Sequence, residues 1–349
     1  MSNPEEILRR LKKGDSKDLT VQLGKDGDII ADPTGYISTG NPMLDYLIGR
    51  PGIPLGGITV LAGTTGTGKS TICLKIIKEC QAAGGQAVYY DTEGRMNFPR
   101  AEKLGVDIDN LIIAQPDSLE ELFEGVKNTI KATRATLEED SQVVIVIDSI
   151  AGVPLEQDID GKGGPIARFA FLLRKELRIM TSLVNRQRIA LVIVTQPRAT
   201  IEFGRLGKPP ANWMGKEPLG HAAMTTLWLD VWGKFPGPDG DENSPIGHRI
   251  QAVLKDTRIA GCTVPECKEC RRKDFRRTFD FYDATGPDFF GSALDVLKEK
   301  GLITSSGGWY QFKEEEKKFR RSEWEEKFLQ PDVTAALSDI LKGPQHDEA

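Results

Sequence analysis

Between Ile58 and Thr195 the chain alternates short, nearly continuous apolar runs with longer stretches whose apolar residues recur on one helical face. The runs are 58–62, 86–91, 111–114, 143–148 and 189–195, rich in Val, Ile and Leu. A strand with one wet face would alternate apolar with polar, so these read as strands buried on both faces of a parallel sheet. Helices are predicted over 71–82, 119–131 and 166–184, where the apolar period is that of a helix. Strand, helix, strand in repetition predicts a doubly wound, mostly parallel α/β sheet with binding loops at the carboxyl ends of its strands.

The flanks read differently. Ile7, Leu8 and Leu11 give residues 5–13 one helical face, and 14–35 is a polar, glycine-dotted linker with one short strand near 19–23. Residues 235–245 are rich in Pro, Gly and Asp and form a predicted surface loop. Residues 248–255 and 277–283 alternate like two antiparallel strands flanking a cysteine-bearing tip. Residues 291–343 read as a helical, charged segment with a turn at 305–308 and a short aromatic strand at 309–312.

Composition narrows the class. Of 349 residues, 39% are hydrophobic and 28% charged, ordinary for a soluble globular protein. The longest apolar runs are far too short to cross a bilayer, and the polar, acidic N-terminus is no secretory signal. An odd count of five cysteines fits a reducing cytoplasm better than a disulfide scaffold. The net charge of −5 argues against a general polyanion binder, so any nucleic-acid site must rest on local clusters.

The strongest local chemistry is Gly63-Thr64-Thr65-Gly66-Thr67-Gly68-Lys69-Ser70, followed by Thr71, set between a predicted strand and a predicted helix. Glycines at this spacing let backbone N–H groups turn towards phosphate oxygens, and the helix N-terminus adds its positive dipole. Lys69 would reach the β- and γ-phosphates and Ser70 would give its hydroxyl to magnesium, which predicts ATP with Mg2+. The bland alternative is a glycine-rich turn that merely caps a helix. Asp148 ends an apolar strand, where a carboxylate can stand beside the metal or simply cap a turn. Glu93, in Asp91-Thr-Glu93, is the candidate base that orients the attacking water. Gln196 ends the last strand with a neutral group suited to sensing a γ-phosphate.

These four strand ends resemble the RecA recombinase family, and further segments match it in order. They are Ile37-Ser-Thr-Gly, Lys103-Leu-Gly-Val-Asp-Ile-Asp-Asn-Leu111, Gln115-Pro-Asp117, Ile147-Asp-Ser-Ile-Ala151, Thr195-Gln-Pro-Arg198 and the Gly-Leu-Ile and Gly-Trp-Tyr of 298–310. The resemblance covers roughly residues 36–340. Its looser stretches, similar to the UvsX branch of phage recombinases, imply a divergent or phage-encoded member. It implies a helical filament on single-stranded DNA, ATP at each subunit interface, and pairing with homologous double-stranded DNA. By position Glu93 matches the family's catalytic glutamate and Gln196 its γ-phosphate sensor. Lys255 and Arg258 resemble the cations that reach a neighbour's ATP, where they would stabilise developing charge. Three departures stand out, one of them the cysteine-bearing insertion between the two antiparallel strands. Arg100 replaces an aromatic that stacks on adenine, a role a guanidinium can also fill. The segment Gly220-His-Ala-Ala-Met224 lacks the family's interfacial lysine–phenylalanine pair.

By the same resemblance, 156–165 and 197–220 are the DNA-binding loops. The second carries Arg198, Arg205, Lys208 and Lys216 among Ile201, Phe203, Trp213 and Met214, the mixture a single-strand platform needs. Lys162 lies in the first loop, and Arg168 and Arg174 on the next helix extend the phosphate track. A mobile surface loop beside a solvated helix face is the alternative. Cys262, Cys267 and Cys270 lie between the two predicted antiparallel strands, and a C-x2-C turn is a common half of a Zn2+ knuckle, though no second pair is evident. Arg271–Arg277 beside them is a second basic cluster.

The expected architecture is an α/β RecA-like phosphate-loop core at 36–283, including a cysteine-rich tip at 259–274. An N-terminal oligomerisation segment at 1–35 precedes it and a small α+β domain at 284–349 follows. The expected activity is a DNA-dependent ATPase and strand-exchange filament in the cytoplasm of a bacterial or phage-infected cell, with no membrane partner. A ring-forming helicase motor and a regulatory ATPase that binds protein partners are the competing expectations.

Overall fold

A computed structural model describes residues 33, 35–138, 140–159, 166–197, 213–236, 245–259 and 275–342. The expected N-terminal helix, the cysteine tip and most of the second DNA loop lie outside the described residues.

The first described unit is β1 (Tyr36–Ile37), α1 (Pro42–Ile48) and β2 (Ile53–Pro54), with β1 and β2 antiparallel. Asn41 caps α1 by accepting from Met43 N and Leu44 N, and Pro42 follows at the first turn, where its missing N–H is no loss. The Ser-Thr-Gly turn is organised by a buried carboxylate. Asp45 accepts from Ser38 Oγ at 2.6 Å, Thr39 Oγ1 at 2.6 Å and Thr39 N at 2.9 Å.

The core follows as β3 (Ile58–Gly63), α2 (Lys69–Ala82), β4 (Gln86–Asp91), α3 (Phe98–Lys103), β5 (Leu111–Ala114), α4 (Leu119–Thr136) and β6 (Val143–Asp148). After a short α5 (Glu156–Ile159) come α6 (Ile166–Arg186), β7 (Ile189–Thr195), α7 (Lys216–Ala222) and β8 (Thr225–Phe235). β9 (Gly247–Thr257), β10 (Phe275–Tyr282) and β11 (Gly286–Pro287) complete a nine-stranded sheet of order β11-β10-β9-β8-β3-β7-β6-β4-β5. The strands from β8 to β5 are mutually parallel, and β9 to β11 extend the sheet antiparallel.

Each face of the sheet is covered. Ile72, Cys73, Ile76 and Ile77 of α2 fill one side, and Leu122, Phe123 and Val126 of α4 with Leu173, Leu177 and Met180 of α6 fill the other. β3, β6 and β7 are buried along their whole lengths, as the unbroken apolar runs predict. Helices α2 and α6 are each two residues longer than predicted, and α4 runs five residues further, to Thr136.

The sequence reading omits β8. Its first half, Thr225–Leu229, is buried beside β3, while its second half alternates between half-buried and exposed as it runs out past the core. That change of pattern within one strand hides it from a single-period test.

The C-terminal part is α8 (Phe289–Glu299), a small antiparallel sheet of β12 (Ile303–Ser306), β13 (Trp309–Phe312) and β14 (Lys318–Arg320), then α9 (Trp324–Phe328) and α10 (Pro331–Leu341). More of it is strand than expected. Its buried Leu294, Leu297, Phe319 and Trp324 join the α1 and α2 side of the main core in one continuous apolar cluster.

Candidate functional site

The carboxyl ends of β3, β4, β6 and β7 open onto one cleft of ≈ 320 Å³, lined by Thr65, Gly66, Gly68, Lys69, Ser70, Thr71, Leu74, Tyr89, Asp91, Glu93, Arg95, Met96, Asn97, Arg100, Asp148 and Gln196. The candidates Glu93, Asp148, Gln196 and the phosphate loop, far apart in sequence, meet here. Parallel strands with consistent register bring them together, since Asp91 pairs with Asp148 and Ala62 with Thr195.

The loop itself is shaped by glycine. Gly66 and Gly68 have φ of 80° and 76°, the left-handed region that other residues enter at a cost. At Gly68 a side chain is excluded twice, because an added Cβ would sit 2.3 Å from Phe281 Cε2. Gly68 is also the N-cap of α2 and offers no side chain to its free N–H groups, which leaves them for an anion.

Lys69 is buried, and its ammonium donates to Gly63 O at 2.9 Å and Thr64 O at 2.7 Å. Burial pulls its pKa down to about 8, with Asp148 opposing. Asp148 is held by Tyr89, whose hydroxyl donates to Oδ2 at 2.6 Å, and by the hydroxyl of Ser70. Burial pushes its carboxyl up, against the lowering effect of those two bonds. Thr64 Oγ1 bonds Asp230 Oδ1 at 3.2 Å, whereas Thr65 Oγ1 reaches Gln196 Oε1 at 3.5 Å, so the loop touches both the end of β7 and β8.

These residues suit magnesium and a triphosphate. Ser70 and Asp148 carry the hard oxygen donors that Mg2+ prefers and would be the residues to hold it. Lys69 and the bare helix N-terminus supply positive character without a competing side chain. Among the described residues no group of three or more His, Cys, Asp or Glu is placed to hold a metal by itself.

Glu93 Oε1 accepts from Ser149 Oγ at 3.0 Å and Oε2 pairs with Arg95 Nη1 at 3.0 Å. Arg100 lines the cleft, with Nη1 donating to Asp283 O at 2.7 Å and Nη2 3.4 Å from Thr71 Oγ1. The sequence reading missed Tyr89, Ser149, Arg95 and Asp91. Asp91 was legible as a strand-end carboxylate, and it folds the following turn by accepting from Arg95 N and Met96 N.

Lys255 and Arg258 are elsewhere. Thr257 pairs with Thr225, which pairs with Thr59 at the amino end of β3, while Gly63 pairs with Leu229 at the other end. Arg258, which follows Thr257, therefore lies at the opposite end of β3 from this chain's own phosphate loop, while Lys255 sits in the bulge opposite Thr226 and Leu227, level with the middle of β3. Arg258 donates to His221 O at 2.7 Å and Gly220 O at 3.1 Å, tying β9 to α7.

A model of the RecA N-terminal domain matches residues 4–227, well over half of the chain. The chain belongs to the RecA family. Curated RecA proteins extend the match. The RecA of Clostridium novyi (strain NT) is 30% identical over 309 residues, 87% of this chain and 80% of that protein. The RecA of Sulfurimonas denitrificans is 28% identical over 330 residues, 94% of this chain and 88% of that protein. The RecA of Streptomyces venezuelae is 30% identical over 288 residues, 82% and 70% of the two chains. RecA proteins are DNA-dependent ATPases, so this chain's chemistry is ATP hydrolysis coupled to DNA. No described helix is long and apolar enough to cross a membrane.

The DNA-facing candidates divide. Lys162, Arg198, Phe203, Arg205 and Lys208 lie outside the described residues, as do Cys262, Cys267 and Cys270. Arg168 and Arg174 are exposed on α6; Arg168 bonds Gln157 and Arg174 pairs with Glu217 at 3.7 Å. Trp213 differs from expectation. Expected within the DNA-binding loop, it packs against the core, its ring 5.4 Å from that of buried Trp228. Lys216 Nζ sits 5.2 Å above the same ring. Trp213 thus anchors the returning end of the loop, beside the bridge it makes with Pro197.

Proposed function

We propose that this RecA-family ATPase polymerises on single-stranded DNA and promotes homologous pairing and strand exchange, with each ATP shared between two copies of the chain. The observation that carries the shared site is the separation of Arg258 from the chain's own phosphate loop by the length of β3. A cation at one end of the sheet can serve a phosphate at the other end only across an interface.

In this reading Gly63–Ser70 and Thr71 hold the phosphates, with Lys69 on the β- and γ-phosphates and Arg100 against the base. Magnesium, held by Ser70 and Asp148, would neutralise phosphate charge. Glu93 orients the attacking water and takes its proton, while Gln196 reads the γ-phosphate by hydrogen bonding. The neighbour's Lys255 and Arg258 stabilise the charge that builds on the γ-phosphate. Gln196 precedes Pro197, where the DNA loop departs, and Met214 N returns to Gln196 O at 3.3 Å. Nucleotide sensing and both ends of that loop therefore share one piece of backbone.

Arg168, Arg174, Lys216 and the basic and aromatic residues of 197–220 would contact single-stranded DNA, and the cytoplasm is the compartment. The zinc expectation for Cys262, Cys267 and Cys270 is tested by metal analysis of purified protein with and without Cys267→Ser. The functional reading itself is tested by adding single-stranded DNA to purified protein with ATP and magnesium. Turnover should rise with DNA, weaken with salt, and accompany helical filaments in electron micrographs. Closed rings that unwind duplexes, or turnover indifferent to DNA, would sink it.

A further inference from the structure

Both oxygens of Glu93 are engaged, Oε1 by Ser149 Oγ and Oε2 by Arg95 Nη1, each at 3.0 Å. A base needs a free lone pair directed at water, so an ion pair on Oε2 competes with its task. The pair is built into the local backbone. Gly94, at φ 64°, turns the chain so that residue 95 faces residue 93. Asp91 fixes that turn, accepting from Arg95 N at 3.1 Å and Met96 N at 2.9 Å. The Arg95 backbone is thus anchored while its side chain is 80% exposed, at the mouth of the cleft that Lys69 and Gln196 also line.

We propose that Arg95 is a positioning residue that holds Glu93 in a resting orientation until a second copy of the chain closes the cleft. The proposal rests on Glu93 acting as the base and on the shared site described above. When the neighbour's Lys255 and Arg258 enter, their charges repel the Arg95 guanidinium and free Oε2 for the attacking water. An exposed pair is weak, so the restraint is modest and easily released. Basal hydrolysis by unassembled chains is thereby held down, while the assembled filament is unaffected.

The test is steady-state ATP turnover of wild type, Arg95→Ala and Arg95→Lys, without and with single-stranded DNA. Arg95→Ala should raise DNA-free kcat about two- to fivefold, equivalent to about 0.4–1 kcal/mol at about 1.4 kcal/mol per tenfold. KM for ATP should stay within about twofold and DNA-stimulated kcat should change little, so the stimulation ratio falls. Arg95→Lys, which keeps a cation but not the fork, should fall between wild type and Arg95→Ala. A DNA-free kcat that is unchanged or lower in Arg95→Ala overturns the proposal, since a residue that merely supported the fold or aided Glu93 would give that result. Two other outcomes overturn the readings beneath it and are separable. Turnover that survives Glu93→Gln removes the base assignment, and wild type without any DNA-stimulated turnover removes the recombinase reading.

Discussion

Tyr89 donates its hydroxyl hydrogen to Asp148 Oδ2 at 2.6 Å, from β4 to the neighbouring β6, in a site where both are buried. The bond fixes Oδ2 towards the tyrosine, and the Ser70 hydroxyl bonds the same carboxylate, which in the proposed site would face the metal. Burial raises the pKa of both groups, so Tyr89 remains protonated and a donor at any physiological pH. Partners of this kind typically account for about 10–100-fold in metal affinity. Tyr89→Phe should therefore raise the magnesium concentration needed for half-maximal ATP turnover by about tenfold, leaving saturated kcat within a few-fold. Titrating Mg2+ at fixed ATP measures it, and an unchanged midpoint would remove Tyr89 from the metal site.

Lys69 gives a pH dependence of known sign. Its free-state pKa is pulled down to about 8 by burial, and bound phosphates would raise it. A group whose pKa rises on binding strengthens binding while it is protonated and weakens it as pH climbs through the free-state value. ATP affinity should hold below about pH 8 and fall above it, with proton uptake on binding near pH 8. Calorimetry in two buffers of different ionisation enthalpy reads that uptake directly.

Asp45 gives a stability dependence of the opposite kind from ordinary surface carboxylates. Burial raises its pKa from 3.8 to about 6, despite the bonds from Ser38 and Thr39. The folded state therefore binds a proton that the unfolded state releases between pH 6 and 4, so stability from this group grows as pH falls through that window. At about 1.4 kcal/mol per unit the contribution is about 3 kcal/mol, fully present below about pH 4. Asp45→Asn should lose that slope in denaturant midpoints taken from pH 7 to 4.

Arg134 staples two layers. Its guanidinium donates to Gln187 O at 2.6 Å, Glu138 O at 2.9 Å, Ser141 O at 3.1 Å and Arg188 O at 3.3 Å, joining the end of α4 to the turn between α6 and β7. Removing it strands carbonyls at two helix ends. Arg134→Ala should cost about 2–4 kcal/mol in unfolding free energy, with ATP binding by the folded fraction retained.

Much of the core was readable because burial on both sheet faces writes a simple signature. Four of the predicted strands, 86–91, 111–114, 143–148 and 189–195, have the observed bounds. The phosphate loop was legible for the same reason, since its glycines serve backbone geometry that few other residues allow. What was hidden depends on contacts between distant positions. Tyr89 looks like any strand aromatic until β6 brings Asp148 beside it. Trp213 sits among glycines and prolines, and only β8 supplies Trp228 as its partner. The separation of Arg258 from Lys69 follows from sheet order, which local periodicity does not encode.

The shared site is tested most directly by mixing two variants that each lose one half of it. Glu93→Gln keeps the cations, and the double variant Lys255→Ala, Arg258→Ala keeps the base. Each alone on single-stranded DNA should hydrolyse ATP slowly. In an equal mixture about a quarter of interfaces pair an intact base with intact cations, so turnover should recover to about a quarter of wild type. No recovery at any mixing ratio, in filaments shown to contain both variants, would contradict an ATP site completed by the neighbouring chain.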